Sequence, residues 1–374
     1  MNLIYLDNAA TTKVDSRVVE AMLPYFLENY GNDETVYSAG RTAKKAVSLA
    51  RKQVAGTMNA DAEQIFFTSC GCEANTWAIM SALNTNRGKN HIIISSIEHS
   101  SIMNLAKYLE KYKGITVTRL AVDEKAKADI SNLDSLITKN TAVVSVMHTN
   151  NETGTRQPAE EIAQICRDKN TQYHMDFVAG FGKEKIDLKK MPADFVSVSA
   201  HKIHAPKGIG ALYIKDKSKA APLIFGGSQE SSLRGGTLNV PYIAGFGKAC
   251  ELMDKDFEKN YEHIKALRDY LASSLSENIK GLKINTPLEI SSPAVLNVSL
   301  PDLPSNQAIV LLDKKGICVS SGSACEAGDV SVSHVLAAMG IKAPFLQNSL
   351  RFSLSRFTTK AEIDIAVEEL KKIA

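Results

Sequence analysis

Short apolar runs that alternate with amphipathic stretches constrain the fold of this 374-residue chain more than any other feature of the sequence. In the first two thirds, compact segments rich in branched and aromatic residues are typical of buried strands, and stretches such as "PAEEIAQICRDKN" have helical spacing. This alternation predicts an α/β fold with a mostly parallel sheet covered by helices. The predicted strands are "QIFFTS", "HIIISS", "TAVVSVMH", "QYHMDF", "DFVSVS" and "GALYIK".

The pattern changes after the long helical stretch "DKDFEKNYEHIKALRDYLASSLSENI". The segments "PAVLNVSLP", "GICVSSGSAC" and "SLRFSLS" indicate strands of a smaller α+β unit. The last helix is predicted to start at Thr359, because Glu362 three residues later completes a capping box. We therefore expect a large domain over residues 15–255 and a small domain formed by residues 1–14 plus 256–374.

Composition and charge exclude several classes of protein. Hydrophobic residues make up 44% and charged residues 23%, a globular balance, and the net charge of +3 gives no reason to expect nucleic acid or membrane partners. No apolar run approaches the roughly 18 residues that a spanning helix needs, and the first residues lack a signal-peptide layout, so we expect a cytoplasmic protein. The six cysteines are too sparse for a disulfide scaffold, and no second paired-ligand motif indicates a metal site.

Polar residues directly follow five of the predicted strands. In a parallel sheet, ligands bind outside the carboxyl ends of the strands, which meet at one edge. We therefore expect these polar clusters to converge on one side of one sheet. The clusters are Cys70-Gly71-Cys72-Glu73, Glu98-His99, Asn150-Asn151-Glu152, Asp176 and Ser199-His201-Lys202.

Three of these clusters have the chemistry that pyridoxal phosphate requires. A desolvated lysine such as Lys202 can act as a Schiff-base amine, although a lone lysine can also pair with a carboxylate. A buried carboxylate at Asp176 would hold the pyridine nitrogen protonated. Small residues at the strand-to-helix turn of "FTSCGCEANTWAIM" leave N–H groups available as a phosphate cradle. The three features in this order indicate a site for pyridoxal 5'-phosphate.

Over essentially its whole length, the chain resembles the cysteine desulfurases of the NifS/IscS type, which are fold-type I enzymes of the class V aminotransferase family. The resemblance implies conversion of L-cysteine to L-alanine, a homodimer with active sites at its interface, and a sulfur acceptor such as an iron–sulfur scaffold protein or a transfer RNA thiolation pathway. The motifs that carry it are "YLDNAATT", "EHSSI", "MHTNNETG", "SAHKIHAPKGIG", "LRGGTLNVP", "SSGSAC", "SHVLAAMG" and "LRFSLSRFT".

The resemblance also implies roles for individual residues. Lys202 would be the Schiff-base lysine, and Asp176 the partner of the pyridine nitrogen. His99 would stack on the ring and assist proton transfers. Cys325, in the polar stretch "SSGSACEAGDVSVSH" that we predict to be a mobile loop, would be the nucleophile that receives the sulfur as a persulfide.

The same resemblance implies the binding residues. Phosphate contacts are expected from the turn at Gly71 and Cys72, from Ser199 and His201, and from Thr237 of the second subunit. Asn151 and Arg351 are expected to bind the substrate, and the arginine is expected to bind its carboxylate through two hydrogen bonds. His148 and His204 match the family pattern too and are expected to have packing roles.

The sequence departs from the family pattern at three places. Cys72 stands where threonine is usual, Ala179 stands where glutamine is usual, and the segment from Asp33 to Tyr37 differs from the usual entry segment. Two alternatives therefore stay open: a pyridoxal phosphate lyase or transaminase acting on another small amino acid, and a weakly active homologue that binds a scaffold protein. Cys325 speaks against the first alternative and Lys202 against the second. Neither the sulfur acceptor nor a preference for cysteine over selenocysteine follows from the sequence.

Overall fold

The computed structural model describes residues 3–321 and 332–374. In chain order, the helices and strands within these residues are β1 Ile4–Tyr5, α1 Ser16–Met22, α2 Pro24–Leu27, α3 Ser38–Gly56, β2 Ile65–Thr68, α4 Gly71–Thr85, β3 His91–Ser95, α5 Ser100–Lys113, β4 Thr116–Leu120, α6 Leu133–Leu136, β5 Thr141–Ser145, α7 Ala159–Asp168, β6 Gln172–Asp176, β7 Phe195–Ser199, β8 Gly210–Ile214, α8 Val240–Lys255, α9 Phe257–Asn278, β9 Lys283–Ile284, β10 Val295–Ser299, α10 Ser305–Asp313, β11 Ile317–Cys318, α11 His334–Ala338, β12 Ser349–Ser353 and α12 Lys360–Ile373.

The mostly parallel sheet predicted from the sequence is confirmed. Seven strands lie in the order β2-β8-β7-β6-β5-β3-β4. All neighbouring pairs from β7 to β4 are parallel, and β8 runs antiparallel to both β2 and β7. Strand β2 therefore runs in the same direction as β7, so the carboxyl ends of six strands lie at one edge of the sheet.

Helices cover both faces of this sheet because its strands are apolar on both sides. Phe66 packs with α4 and α5 on one face, whereas its neighbour Phe67 packs with α3 and α8 on the other. Side chains of successive strand residues point to opposite faces, which explains this separation. The near-continuous apolar runs in the sequence are what a sheet buried on both faces requires.

The smaller unit is built on the antiparallel sheet β12-β10-β9 and carries α9, α10 and α12. The parallel pair of β1 and β11 joins the beginning of the chain to this unit. The capping box at the start of α12 is confirmed, since Thr359 accepts a hydrogen bond from the Glu362 N–H and Glu362 accepts one from the Thr359 N–H. The apolar face of α12 lies against the sheet.

The large sheet has an apolar core on each face, both within residues 18–253, and a separate apolar core in the smaller unit supports the division of the chain that the sequence suggests. The core on one face contains residues from Val18 to Met253, and the core of the smaller unit joins Ile4 and Leu6 to residues between 267 and 370. We propose from these cores a large domain of residues 15–255 and a small domain of residues 1–14 plus 256–374. A small bridging cluster packs Val335, Leu336 and Met339 near α11 against Ile97 and Ala126.

Strand β4 was not predicted from the sequence. Its residues "TVTRL" are mostly half-buried or exposed, because β4 lies at the edge of the seven-stranded sheet. Such a strand carries a weaker apolar signal than its buried neighbours. None of the helices within residues 3–321 and 332–374 has both the length and the apolar character needed to cross a membrane. Those residues also bring together no group of three or more metal-ligating side chains.

Candidate active site

A cavity of about 430 Å³ lies where the polar ends of the parallel strands meet. Each of the five polar clusters predicted from the sequence contributes to its wall, as the parallel sheet requires. Residues that follow β1 and residues in or near β12 of the smaller unit complete the cavity on the other side. The sequence-predicted site residues that line the cavity are Gly71, Cys72, His99, Asn151, Asp176, Ser199, His201, Lys202 and Arg351.

Lys202 reaches the cavity from a short turn that follows β7. A 3-10 helix over Ala200–Lys202 directs the chain away from the sheet edge, and the Lys202 Nζ donates to the carbonyl oxygen of Ala10 at 2.9 Å and to that of Ala9. The segment after β1 therefore holds the amine in place. In contrast, Lys207 is exposed to solvent.

A second lysine, Lys183, lines the same cavity and was not predicted from the sequence. Its Nζ donates to the carbonyl oxygen of Lys202 at 3.2 Å. Burial, together with the nearby charge of Lys202, lowers the pKa of Lys183 to about 7. A lysine in "GFGKEK" looks like a surface residue in the sequence. Its neighbour Gly182 packs so closely that a Cβ there would collide with Met253 and Ile203.

Asp176 ends β6 with its carboxyl group fixed in orientation and only 4% exposed. One oxygen accepts the backbone N–H of Val178 at 2.9 Å, and the other accepts the Asn75 side-chain amide at 2.8 Å. Asn75 also donates to the Ser101 hydroxyl at 3.0 Å. Asn75 was not predicted from the sequence. It lies four residues after Gly71 in α4, so the two residues are on the same face of the helix, and this spacing is the signal that could have identified it.

The first turn of α4 and the end of β7 form one end of the cavity. Gly71 begins α4, and a Cβ at this position would lie 2.9 Å from Val178 and 3.5 Å from Ser199, so only glycine allows this close approach. The Ser199 hydroxyl is buried and has no hydrogen-bond partner among the described residues. Amide groups at a helix N-terminus and an unsatisfied hydroxyl together suit a phosphate group.

His99 is the N-cap of α5. Its Nδ1 accepts the backbone N–H of Ser101 at 3.2 Å and lies 2.8 Å from the Ser101 hydroxyl. Because Nδ1 acts as the acceptor, the neutral imidazole carries its proton on Nε2. The capping interaction fixes both the tautomer and the position of the ring in the cavity wall.

Arg351 lies in β12 and is 2% exposed. Its guanidinium donates to Asp7 at 3.0 Å and to the carbonyl oxygen of Asn151 at 3.0 Å. The large and small units thus both contribute to its position. Asp7 was not identified from the sequence, where a single acidic residue after a short strand gives no signal.

Three of the sequence-predicted residues that the structure describes, Thr237, His148 and His204, do not line this cavity. Thr237 is exposed and does not line it, so its assignment to the site of a second subunit remains a prediction. Cys325 lies outside the described residues. The Nδ1 of His204 donates to the Lys13 carbonyl oxygen at 2.9 Å, and His148 packs edge-on against Phe177, which agrees with the packing roles expected for both.

The residues of the cavity fit pyridoxal phosphate on three grounds. The Ser199 hydroxyl and the start of α4 provide a phosphate end, the fixed carboxyl group of Asp176 provides an acceptor for a protonated ring nitrogen, and Lys202 provides an amine. The structure therefore contains the donor set that this cofactor needs. Ala179 also lines the cavity and presents no side-chain donor.

Comparisons with known proteins agree with this geometry. The aminotransferase class-V family matches residues 4–365. A cysteine desulfurase from Nostoc sp. is 43% identical over 373 residues, which covers 100% of this chain and 93% of the relative. The solved structure of a NifS-like protein is 37% identical, with a TM-score of 0.93 and coverage of 100% and 99% of the two chains. The structure of SspA in complex with cysteine is 32% identical, with a TM-score of 0.84 and coverage of 95% and 99%. With its fold, cavity and full-length similarity in agreement, this chain belongs to the class-V aminotransferases and, within them, to the cysteine desulfurase family.

Proposed function

We propose that this protein is a cysteine desulfurase that depends on pyridoxal 5'-phosphate and converts L-cysteine to L-alanine. The observation that carries the proposal is the convergence of Lys202, Asp176, His99 and Arg351 on one cavity, in a chain that resembles cysteine desulfurases over its full length. The family depends on this cofactor in general. When bound, pyridoxal phosphate supplies an electron sink for carbanion chemistry at the substrate.

The chain's own residues would hold the cofactor at its two ends. The phosphate would accept hydrogen bonds from the Ser199 hydroxyl, from the first N–H groups of α4, and from His201. Asp176 would face the ring nitrogen, and Asn75 fixes the carboxyl group for that purpose. In the partner subunit of a homodimer, Thr237 would complete the phosphate site, because it is exposed on this chain.

Lys202 and His99 would be the residues that transfer protons. The Lys202 amine, held by Ala10 and next to Lys183, is the candidate for both Schiff-base formation and proton transfer. His99 carries its exchangeable proton on Nε2 when neutral, because Nδ1 is occupied as a helix cap. A stacked ring in that position would also exclude water from one face of the site.

Substrate recognition would rest on Arg351 and Asn151. A guanidinium group binds a carboxylate through two parallel hydrogen bonds, which fixes the orientation as well as the charge. The existing bond of Arg351 to Asp7 holds it in position before substrate binds. SspA, a relative of known structure, was solved with cysteine bound, which supports cysteine as the substrate of this chain.

The sulfur atom would pass to Cys325. In a balanced reaction, L-cysteine and the Cys325 thiol give L-alanine and a Cys325 persulfide, which then donates its outer sulfur to an acceptor protein. An iron–sulfur scaffold protein or a transfer RNA thiolation factor would serve as that acceptor. A lyase or transaminase acting on another small amino acid, or a weakly active scaffold-binding homologue, is less favoured because the relatives are cysteine desulfurases.

The test is mass spectrometry of the cofactor-loaded protein after exposure to L-cysteine. We expect one additional sulfur on the Cys325 peptide and an equal amount of alanine. Cys325→Ser should lose the persulfide, whereas the matched variant Cys318→Ser, altered at a partly exposed cysteine of β11, should retain it. A keto acid product without alanine would instead support the lyase or transaminase reaction.

A further inference from the structure

A second cavity lies at the opposite edge of the seven-stranded sheet. Its volume of about 420 Å³ nearly equals that of the candidate active site and falls within the range of about 300–1,000 Å³ that is typical of small-molecule sites. Strands β6 and β7 begin at this edge, and β8, which runs antiparallel to β7, ends there. The reaction proposed above takes place at the other edge, so it gives this cavity no role.

Four cationic side chains and one carboxylate line this second cavity. Lys89 follows α4, Arg167 lies in the last turn of α7, and Lys215 and Lys219 follow β8. The carboxylate is Asp194, directly before β7. None of the four cations forms an ion pair with another residue that the structure describes. Cations from three separate parts of the fold therefore face one cavity and outnumber its carboxylates four to one.

The carboxylates at this edge have other hydrogen-bond partners. Asp194 Oδ2 accepts the Tyr173 N–H at 2.9 Å, and the backbone carbonyl oxygen of Asp194 accepts the Lys215 N–H at 2.9 Å. Burial raises the pKa of Asp194 in spite of the nearby lysines. Asp216 is exposed and accepts the N–H and the hydroxyl of Ser218, at 2.9 and 2.7 Å. The positive charge of the cavity wall is therefore left for an anion from solution.

Hydrogen bonds between segments hold the backbone of this wall in place. The buried side chain of Gln172 accepts the Asn86 amide at 2.6 Å and donates to the carbonyl oxygen of Lys219 at 3.4 Å. The Thr85 hydroxyl donates to the same carbonyl oxygen at 3.3 Å, and the Lys89 N–H donates to the Asn86 carbonyl oxygen at 3.0 Å. The backbone positions of two cations are thus fixed before a ligand binds, which lowers the cost of binding.

Lys89 is the cation that a bound anion would stabilise most. It is half-buried, and burial lowers its pKa with no opposing effect from a carboxylate among the described residues. Its ammonium group is partly removed from water without gaining an opposite charge. An anion in the cavity would supply that charge through a charge-assisted hydrogen bond.

The lining of the cavity indicates the chemical class of the anion. Within the described residues the lining contains hydroxyl, amide and cationic groups and no aromatic side chain, so a nucleobase would have no ring on which to stack. A single phosphate ion would occupy only a small part of the cavity. A chain of phosphoryl groups is long enough to reach several of the cations at once.

We propose that this cavity binds a small anion with two or more linked phosphoryl groups. Lys89, Arg167 and Lys219 would donate charge-assisted hydrogen bonds to the phosphoryl oxygens. The cavity shares no lining residue with the candidate active site, so the proposal does not depend on desulfurase activity.

The test is calorimetric titration of the full-length protein, loaded with pyridoxal phosphate and freed of excess cofactor, at constant ionic strength without divalent cations. The probes are inorganic triphosphate, ATP and orthophosphate. We expect one equivalent of triphosphate to bind, ATP to bind with similar affinity, and orthophosphate to bind at least tenfold more weakly. The proposal is wrong if triphosphate does not bind, if several equivalents bind, if ATP alone binds, or if orthophosphate binds as tightly.

Variants locate the bound triphosphate. Lys89→Gln and Lys219→Gln should each weaken its binding about tenfold or more, because each removes a charge-assisted hydrogen bond, and Lys89→Arg should restore most of the affinity. Lys217→Gln is the matched control. Lys217 lies in the same 3-10 helix as Lys219, but its Nζ is 5.6 Å from the centre of the Phe66 ring and it does not line the cavity. Its variant should bind triphosphate within twofold of the parent. Equal losses in Lys89→Gln and Lys217→Gln would show attraction to overall surface charge and overturn the proposal.

Discussion

Replacing Glu98 with glutamine should make the protein more resistant to alkaline pH. Glu98 follows β3 and is 0% exposed. Its Oε1 accepts the Met147 backbone N–H at 3.0 Å and the Ser95 hydroxyl, but its Oε2 has no hydrogen-bond partner among the described residues. Burial, with a smaller contribution from Asp176, raises the pKa of Glu98 from 4.5 to about 8. The folded chain therefore keeps this carboxyl group neutral at pH 7.

The sign and size of the effect follow from proton linkage. Between pH 4.5 and about 8 the unfolded chain releases the Glu98 proton and the folded chain does not, so the free energy of unfolding falls as pH rises. At roughly 1.4 kcal/mol per pH unit, the full shift corresponds to about 5 kcal/mol, an upper limit because buried sites relax when they ionise. Glutamine keeps the oxygen acceptor and has no proton to release.

The measurement is urea unfolding of parent and Glu98→Gln between pH 5 and pH 9. We expect the variant to gain a few kcal/mol relative to the parent across this range, because all other titrating groups cancel in the difference. Glu110→Gln is the matched control. Its pKa is lowered by Arg119, so it titrates below this window, and its difference from the parent should not change with pH. A flat difference for Glu98→Gln as well would refute the buried, neutral carboxyl group.

Three further predictions concern the cavity. Reduction of the cofactor-loaded protein with borohydride should attach the pyridoxyl group to Lys202 in a peptide map; finding it on Lys183 would reverse their assignment. Asn75→Ala removes a hydrogen bond to the Asp176 carboxyl group, and such a bond contributes about 1.5–3 kcal/mol. The dissociation constant for pyridoxal phosphate, measured by absorbance, should therefore rise about tenfold or more. Unchanged cofactor affinity would show that Asp176 needs no support. Arg351→Ala should weaken apparent cysteine affinity about tenfold or more while cofactor absorbance is retained; an unchanged affinity would place the substrate carboxylate elsewhere.

The fold followed from the sequence because its strongest signals are local. Most inner strands of the large sheet are short runs rich in branched apolar residues, and all of the inner strands are buried in the structure. The convergence of the polar clusters also followed, since it depends only on parallel strands. Strand β4 was missed because an edge strand alternates polar and apolar residues too weakly to stand out.

Side chains whose environment depends on distant packing could not be predicted. Lys183 lines the cavity, and its neighbour Gly182 packs against Met253 and Ile203, residues of other segments. Asp7 contacts Arg351 because the segment after β1 pairs with the end of β12 at Ser353, although 344 positions separate Asp7 from Arg351. In neither case does the local sequence differ from that of a surface segment.

Burial keeps His148, His174 and His201 uncharged, and this lowers the stability of the protein in acid. Burial lowers the pKa of His174 to about 3 and that of His148 to about 4, and it lowers the pKa of His201 to about 3 with help from Lys202. His174 satisfies both ring nitrogens with the Ser145 and Ser197 hydroxyls, at 2.8 and 2.9 Å, without a charge. As pH falls below 6.5, these histidines take up protons in the unfolded chain and not in the folded one, so stability decreases toward pH 4. Substituting His174 with glutamine should reduce the difference in bound protons between the unfolded and the folded chain by about one. This difference is measured as the slope of the unfolding free energy against pH between about 6 and 4.5. An unchanged slope would mean that His174 is charged in the folded protein.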